Sequence, residues 1–375
     1  MKYLLGILTI LLCCTSCKKK GCMDETAINY SALAEKDDGS CEYNSGNWGP
    51  YNPTPMQHVN PFENFPDVEE PSWNPTTVQG FQLGRKLFYD DILSMNGNSC
   101  STCHPQDQGF AFPTGSPTSA SIPPFVNLGW RAHYGWTGGA TALDSVALAD
   151  LEEGNIFLNA NNDSILARLE AHPDYPRMFW EAFGVEIVLI SLPERQKYIS
   201  YALAQFLRGL VSGDSKFDKY RRGETTLTLE EYQGYALFMD ENKGDCFHCH
   251  GSIDNPMWTD DDFHNNGLDA THTLDDMGRY WVTNDPNDIG KFRTPTLRNI
   301  ELTGPYMHDG RFATLEEVLN FYSTGLQMSE TIDPLMKNAS SGGAGLTPEE
   351  QDKIIAFLKT LTDEAFITNT YFGPP

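Results

Sequence analysis

Apolar residues recur at helical spacing along much of the chain. Between residues 80 and 91, Phe81, Leu83, Leu87 and Phe88 fall on one side of a helix with a period of 3.6 residues. A polar turn follows and leads into a segment that contains two cysteines. The spacing therefore predicts an amphipathic helix over residues 80–91.

The same spacing predicts two further helices in the first half of the chain. Asp163 is expected to cap a helix that carries Ile165, Leu166 and Leu169. The segment 191–194 (SLPE) opens a longer helix, which is expected to end at Gly213. The apolar face of that helix is formed by Ile199, Ala202, Leu203, Phe206 and Leu210.

Capping boxes mark helices in the second half of the chain. The helix that opens at residues 227–231 (LTLEE) is expected to end near Asn242, and two others begin at Thr314 and Thr347. Strand patterns are scarce throughout. The chain is therefore predicted to be all-α.

Two Cys-x-x-Cys-His motifs lie within this helical pattern. One contains Cys100, Cys103 and His104, and the other contains Cys246, Cys249 and His250. This spacing is typical of covalent attachment of haem c, because two thiols can reach two vinyl groups while the adjacent histidine binds the iron. Zinc or a redox dithiol is the alternative, but neither motif has a second Cys-x-x-Cys pair nearby to complete a zinc site.

Each motif follows a predicted helix, so the chain repeats the same order of elements. We interpret this repeat as two tandem cytochrome c-like helical domains, residues 76–213 and 214–375, each with one covalently bound haem c. A segment rich in proline and asparagine, residues 44–75, is interpreted as a linker.

The N-terminus has the pattern of an export signal. Residues 1–16 combine a positive end, an apolar core and small residues, and Cys17 follows them as in a bacterial lipoprotein box. The alternative is a plain secretory signal. We expect export to the periplasm or cell envelope with a lipid anchor on Cys17.

Cys22 and Cys41 bound a short module within residues 17–43. Its sequence resembles a module near the N-termini of Bacteroidetes surface proteins. A disulfide that closed this loop would contribute about 3 kcal/mol in an oxidising compartment.

The composition narrows the choice of partners. The chain has 375 residues, 40% of them hydrophobic, which is enough to bury two domains of ordinary size. Its formal net charge of -25 would repel phosphate backbones and anionic lipid headgroups, so we expect no nucleic acid partner and membrane contact only through the anchor. A basic redox protein would be attracted instead.

Four ordered blocks then give the chain a family resemblance. They are residues 83–90 (LGRKLFYD), 262–268 (DFHNNGL), 292–299 (FRTPTLRN) and 304–317 (GPYMHDGRFATLEE). Over about residues 80–375 the chain resembles the bacterial di-haem cytochrome c peroxidases, a family that includes the MauG-type protein-oxidising enzymes. The resemblance implies an N-terminal haem that reacts with peroxide, on His104, and a C-terminal haem that relays electrons, on His250. It also implies that Trp136 carries electrons between them; an ordinary buried aromatic residue is the alternative.

The resemblance leaves the sixth ligand of the C-terminal haem iron open between Met307 and Tyr322. A thioether favours reduced iron. The position after the 314–317 helix start is occupied by Tyr322, as in MauG-type members, and we favour Tyr322.

The chain departs from the family pattern around the N-terminal haem. Its loop contains no histidine between residues 113 and 124, so we expect an open or water-bound distal site, with His133 as a competing distal ligand. The family's distal glutamate aligns with Ile156 or Phe157. Glu152 and Glu153 are the candidates to replace it as catalytic acid and base, against the alternative of a solvated helix end.

The resemblance also bears on calcium, function and assembly. A family calcium site would here involve Ser121 and carbonyls near Thr294 and Thr296. We expect reduction of H₂O₂ with electrons from a small cytochrome c or cupredoxin. The alternatives are MauG-type oxidation of a protein side chain and non-catalytic electron transfer. The resemblance allows a homodimer.

Overall fold

The computed structural model describes residues 19–23, 30–40, 48–57, 65–111, 121–150 and 161–375. The predicted signal 1–16, Cys17, Cys41, and the candidates Glu152, Glu153, Ile156 and Phe157 lie outside these ranges. Packing divides the chain into a unit Met1–Pro50 and a unit Tyr51–Pro375, each described by itself. No helix in the described part is long and apolar enough to cross a membrane.

In the first unit, two short strands pair in parallel. Strands β1 (Lys20–Gly21) and β2 (Lys36–Asp37) align Lys20 with Lys36 and Gly21 with Asp37. Cys22, directly after β1, is buried and disulfide-bonded. Its predicted partner Cys41 is not among the described residues, so that pairing stays a prediction.

The second unit is rich in helices and has one short antiparallel pair of strands, β3 (Phe263–His264) and β4 (Phe292–Arg293). Its helices are α1 (Val78–Tyr89), α2 (Cys100–Cys103), α3 (Leu143–Asp150), α4 (Asn162–Ala171), α5 (Tyr175–Phe183), α6 (Leu192–Arg208), α7 (Lys216–Arg221), α8 (Leu229–Phe238), α9 (Phe247–His250), α10 (Tyr280–Thr283), α11 (Leu315–Thr324), α12 (Pro348–Lys359) and α13 (Glu364–Thr368). The predicted helix-rich fold is confirmed.

The helix starts predicted from capping boxes are confirmed. Ser191, Thr228, Thr314 and Thr347 each cap the helix that follows, with a glutamate three residues later that reaches back to the capping residue. These signals act within one helical turn, which is why the sequence alone identifies them.

The boundaries of three helices predicted in the first half were wrong. Helix α1 spans Val78–Tyr89 and not residues 80–91. Asn161, and not Asp163, caps α4, since its side chain accepts a hydrogen bond from the backbone of Ser164. Helix α6 ends at Arg208 and not at Gly213. Beyond that point the backbone pairs with Asn127 instead, whose amide side chain bonds both to the carbonyl and to the N–H of Ser212.

The end of α8 was also predicted too late. The helix stops at Phe238 and not near Asn242. The carbonyls of Leu237 and Phe238, which a longer helix would have used, accept hydrogen bonds from the backbone N–H groups of Gly244 and Cys246. The end of the helix is therefore determined by the turn that carries the second motif.

The second unit contains two main clusters of buried apolar residues. One gathers α1, α5 and α6, and the other gathers α8, α11 and α12. Phe366 and Phe372, near the C-terminus, belong to the first cluster. The last residues of the chain thus pack back beside α1, where Arg85 donates hydrogen bonds to the carbonyls of Gly373 and Thr370. The domain division at residues 213 and 214 stays a prediction.

Candidate haem sites

The second motif lies on a tight turn and one short helix. Cys246 immediately precedes α9, and the N–H of His250 donates to the carbonyl of Cys246 over 3.0 Å. A side chain at Gly244 would place its Cβ 2.6 Å from the carbonyl oxygen of Leu237, so the approach to the motif requires glycine. The turn brings Cys246, Cys249 and His250 to one cavity.

This cavity is mostly apolar, as a porphyrin ring requires. Its apolar lining includes Phe238, Leu297, Leu315, Leu319, Leu326 and Leu358. Burial raises the pKa of both Cys246 and Cys249 to about 12, so the two side chains stay uncharged thiols. Two thiols and an imidazole around an apolar cavity fit a covalently bound haem.

The protonation of His250 also suits an iron ligand. Burial lowers the pKa of this imidazole to about 4, and the opposing effect of the negative charge on Asp260 is smaller. The ring is therefore neutral at pH 7, which is the form that binds a metal.

Both candidate sixth ligands line the same cavity. The Asn266 side-chain amide donates to the Tyr322 hydroxyl over 3.0 Å and lies 3.7 Å from the sulfur of Met307. Burial raises the pKa of Tyr322 to about 12, and the bond from Asn266 opposes that shift. Met307 has a positive φ of 70°, an uncommon backbone conformation for this residue.

Trp136 reaches this cavity from the first half of the chain. Its indole N–H donates to the carbonyl of Ser121 over 2.6 Å, and its own carbonyl accepts from the N–H of Arg293 over 2.8 Å. Its side chain lines the cavity that holds His250. Trp136 is thus held on both sides by backbone contacts.

A half-buried carboxylate, paired with two buried arginines, fixes the segment around Trp136. Asp261 accepts from Arg131 over 2.8 Å and from Arg293 over 2.9 Å, and the two arginine side chains are only 6% and 3% exposed. Arg293 in turn donates to the carbonyl of Gly135 over 2.9 Å. Burial is the largest influence on Arg293 and lowers its pKa to about 10.

We expect Asp261→Asn to lower the free energy of unfolding by about 3 to 5 kcal/mol, because it leaves two desolvated guanidinium groups without a counter-charge. Urea denaturation of the haem-loaded protein measures the loss. Asp262→Asn, at the exposed neighbouring position, is the matched control and should change stability by less than about 0.5 kcal/mol. Equal effects of the two variants would contradict this account of Asp261.

The first motif lies on helix α2, which begins with a capping box. Ser99 and Thr102 form a capping box at the start of α2, and the N–H of His104 donates to the carbonyl of Cys100 over 2.9 Å. The His104 ring is buried and stacks on Phe125 at 3.7 Å between centroids. The short helix therefore presents both cysteines and a fixed imidazole together.

A hydrogen bond determines which nitrogen of His104 is available. Nδ1 lies 2.8 Å from the carbonyl oxygen of Phe110, so Nδ1 carries the proton and donates it to that bond. Burial lowers the pKa of His104 to about 4 and keeps the ring neutral. Nε2 is then left with its lone pair, as an iron ligand requires.

The remaining candidates are the possible distal ligand His133, the possible calcium ligands and the two glutamates. His133 packs edge-on against Phe263 at 5.3 Å, and its buried Nδ1 has no hydrogen-bond partner among the described residues. Ser121 donates its hydroxyl to the carbonyl of Pro305, and the carbonyl of Thr294 accepts from Thr259. Glu152 and Glu153 lie outside the described residues, so their catalytic role stays a prediction.

Two histidines of the cavity lining received no role from the sequence. His264 lies between Asp260 and Asp333, with N–O distances of 2.8 and 2.6 Å, and these carboxylates raise its pKa to about 9. His308 pairs with Asp276 over 2.6 Å. Both histidines lie in the blocks that carry the family resemblance. Asp333 is 69 positions from His264 and Asp276 is 32 positions from His308, so only the folded structure identifies these two partners.

Comparison with known proteins identifies the family. The family model described as di-haem cytochrome c peroxidase matches residues 78–226. The methylamine utilization protein MauG of Methylorubrum extorquens is 34% identical over 306 residues, which cover 79% of this chain and 82% of MauG. The chain belongs to the di-haem cytochrome c peroxidase family.

Two further similar proteins also align with this chain over most of its length. Cytochrome c551 peroxidase of Nitrosomonas europaea is 31% identical over 77% of this chain and 82% of its own. The crystal structure of a MauG-like protein associated with microbial copper homeostasis superposes with a TM-score of 0.76 and 35% identity, over 85% of this chain and 99% of that one. The chain is therefore an oxidoreductase, and its family implies haem c as the cofactor.

Proposed function

We propose that this family member reduces H₂O₂ to two molecules of water, taking up two protons and two electrons from a small redox protein such as a cytochrome c or cupredoxin. The observation that carries the proposal is the pair of Cys-x-x-Cys-His sites, each with a neutral imidazole, with Trp136 in the lining of the second. When bound, the haem groups supply one-electron redox chemistry and the iron at which peroxide is cleaved.

The chain's own residues hold and orient these groups. Cys100 and Cys103 would tether one haem and Cys246 and Cys249 the other, with His104 and His250 as proximal ligands. The bond from His104 to the carbonyl of Phe110 fixes the imidazole and increases its basicity. We assign the peroxide-reactive role to residues 76–213 and the relay role to residues 214–375.

Proton transfer at the peroxide site is assigned to Glu152 and Glu153. The family resemblance places Ile156 or Phe157 at the position of the distal glutamate, and acid–base help of this kind is typically worth about 10² to 10⁴ in rate. We also propose export through the signal 1–16, a lipid anchor on Cys17, a homodimer, and calcium near Ser121, Thr294 and Thr296.

Steady-state consumption of H₂O₂ tests the proposal. The haem-loaded protein, given a ferrous basic cytochrome c, should oxidise two cytochromes for each peroxide consumed. Mixtures that lack either protein are the controls. Haem-loaded protein that consumes no peroxide with this cytochrome, with a cupredoxin or with ascorbate would overturn it.

Oxidation of a protein side chain is the second candidate function. The observation that favours it is that Tyr322 lines the same cavity as His250, since a phenolate ligand would stabilise oxidised iron. Two of the similar proteins are a MauG and a MauG-like protein. A variant at Tyr322 addresses this candidate directly.

We expect Tyr322→Phe to change the ferric absorption spectrum, because the variant removes the oxygen that would bind iron. Tyr306→Phe is the matched control: Tyr306 lines the same cavity, but its hydroxyl donates to the carbonyl of Ile300 over 2.9 Å. A spectrum changed by Met307→Leu and unchanged by Tyr322→Phe would identify Met307 as the ligand instead.

A further inference from the structure

Three large apolar side chains form an exposed patch on one segment of the second half. Leu274 is 73% exposed, Trp281 54% and Val282 40%. We call these three residues the apolar patch. Large apolar groups left together in water are characteristic of interaction surfaces, and tryptophan is among the residues that contribute most to binding.

The apolar patch is held in place by hydrogen bonds. The indole N–H of Trp281 donates to the carbonyl of Leu274 over 3.0 Å. Arg279, between them in sequence, donates to the carbonyls of Thr137 and Gly138, each over 2.9 Å. The segment that carries the patch is therefore joined through Arg279 to the loop that carries Trp136, and the patch is preorganised for contact.

A second set of contacts joins the patch to the cavity of the second haem site. Asp276, two residues after Leu274, pairs with His308 over 2.6 Å. The His308 ring stacks on Phe292 with 3.6 Å between centroids, and both rings line the cavity that holds His250. A chain of contacts through Asp276, His308 and Phe292 thus connects the segment that carries the patch to the cavity.

The charges around the apolar patch have one predominant sign. Asp275 and Asp285 are exposed next to its residues. The neighbouring cations are already engaged, Arg279 by the two carbonyls and the ring of Phe263, and Lys291 by Asp288 over 3.1 Å. An apolar centre with an acidic rim, on a chain of net charge -25, fits a partner with an apolar contact area and a lysine rim.

We propose that the apolar patch, with Asp275 and Asp285, is the docking surface for a small basic redox protein that supplies electrons to this enzyme. Each docked donor gives up one electron and is oxidised by one unit, so two dockings supply the two electrons that one H₂O₂ requires. The proposal rests on the proposed function, because it identifies where the donor of that reaction binds.

Alanine at the patch provides the central test. The probe is a ferrous basic cytochrome c, with NMR shift perturbation for binding and anaerobic stopped-flow oxidation for transfer. Trp281→Ala and Leu274→Ser should each weaken binding and slow transfer by about tenfold or more. Tyr232→Ala and Leu229→Ser on α8, 52% and 73% exposed, are the matched controls and should change neither.

Charge reversal tests the acidic rim. Asp275→Lys and Asp285→Lys should lower the association rate with the basic cytochrome by about threefold to tenfold at low salt, and the difference should disappear at about 0.5 M salt. An acidic cytochrome c should bind the wild-type protein weakly and should bind the two lysine variants more tightly. Reduction by ascorbate should be equal in all variants, which shows that the haem sites are intact.

The transfer assay contains no peroxide, so its outcome is separate from that of the peroxidase assay. Transfer that depends on Trp281 in a protein inert toward H₂O₂ would keep the docking surface and overturn the proposed function. Full peroxidase activity together with a wild-type rate of electron transfer in Trp281→Ala would keep the proposed function and overturn the docking surface. A change in oligomeric state in Trp281→Ala with unchanged electron transfer would also overturn the proposal, since it would assign the patch to a second copy of this chain.

Discussion

Replacing Cys246 and Cys249 together by alanine is expected to leave the exported protein with half of its covalently bound haem. The two thiols face one apolar cavity that also contains His250, and no other described residue offers a thiol there. Without thioether bonds the haem would be retained only by His250 and by packing, and denaturation would release it. Mass spectrometry of the denatured protein measures the loss as one haem adduct.

The variant Cys100→Ala/Cys103→Ala is the matched control at the other motif. It should also lose one adduct, and the four-alanine variant should lose both. Retention of both adducts after removal of Cys246 and Cys249 would show that this cavity is not an attachment site. Loss of both would show that attachment at one motif depends on the other.

Arg298→Met should lower the free energy of unfolding by about 3 to 5 kcal/mol, because it leaves Asp218 buried without its counter-charge. The two side chains are 0% and 1% exposed and form paired hydrogen bonds of 2.7 and 2.9 Å. Chemical denaturation of the haem-loaded protein measures the loss. Arg311→Met, which breaks exposed contacts with Asp269 and Asp309, is the control and should cost less than about 1 kcal/mol.

The same pair predicts a pH dependence. Burial by itself raises the pKa of Asp218, but Arg298 and Ser215 together outweigh burial and hold the pKa below its usual value. A depressed pKa in the folded state means that the carboxylate stabilises the protein above its unfolded pKa, near 3.9, and that this contribution is lost as the pH falls further. Arg298→Met should therefore lose less stability on acidification than the wild-type protein does.

The two Cys-x-x-Cys-His motifs and most helix starts could be identified from the sequence because their signals are local, and haem attachment at the motifs stays a prediction. Cys246, Cys249 and His250 lie within five consecutive positions, and each capping box spans four. Helix ends were harder to predict. Helix α6 stops where the residues that follow it bond to Asn127. Helix α8 stops where its last carbonyls accept hydrogen bonds from the turn that leads into Cys246.

The sequence by itself determined the helix-rich fold, the two motifs and the family, because short hydrogen-bonded patterns and ordered blocks of residues encode them. Only the tertiary structure decided that Asp261 neutralises two arginines, that Arg298 pairs with Asp218 at a separation of 80 residues, and that the C-terminal residues pack on α1. Such contacts depend on how distant elements pack. A buried charge is stable only with its partner, and no local pattern names that partner.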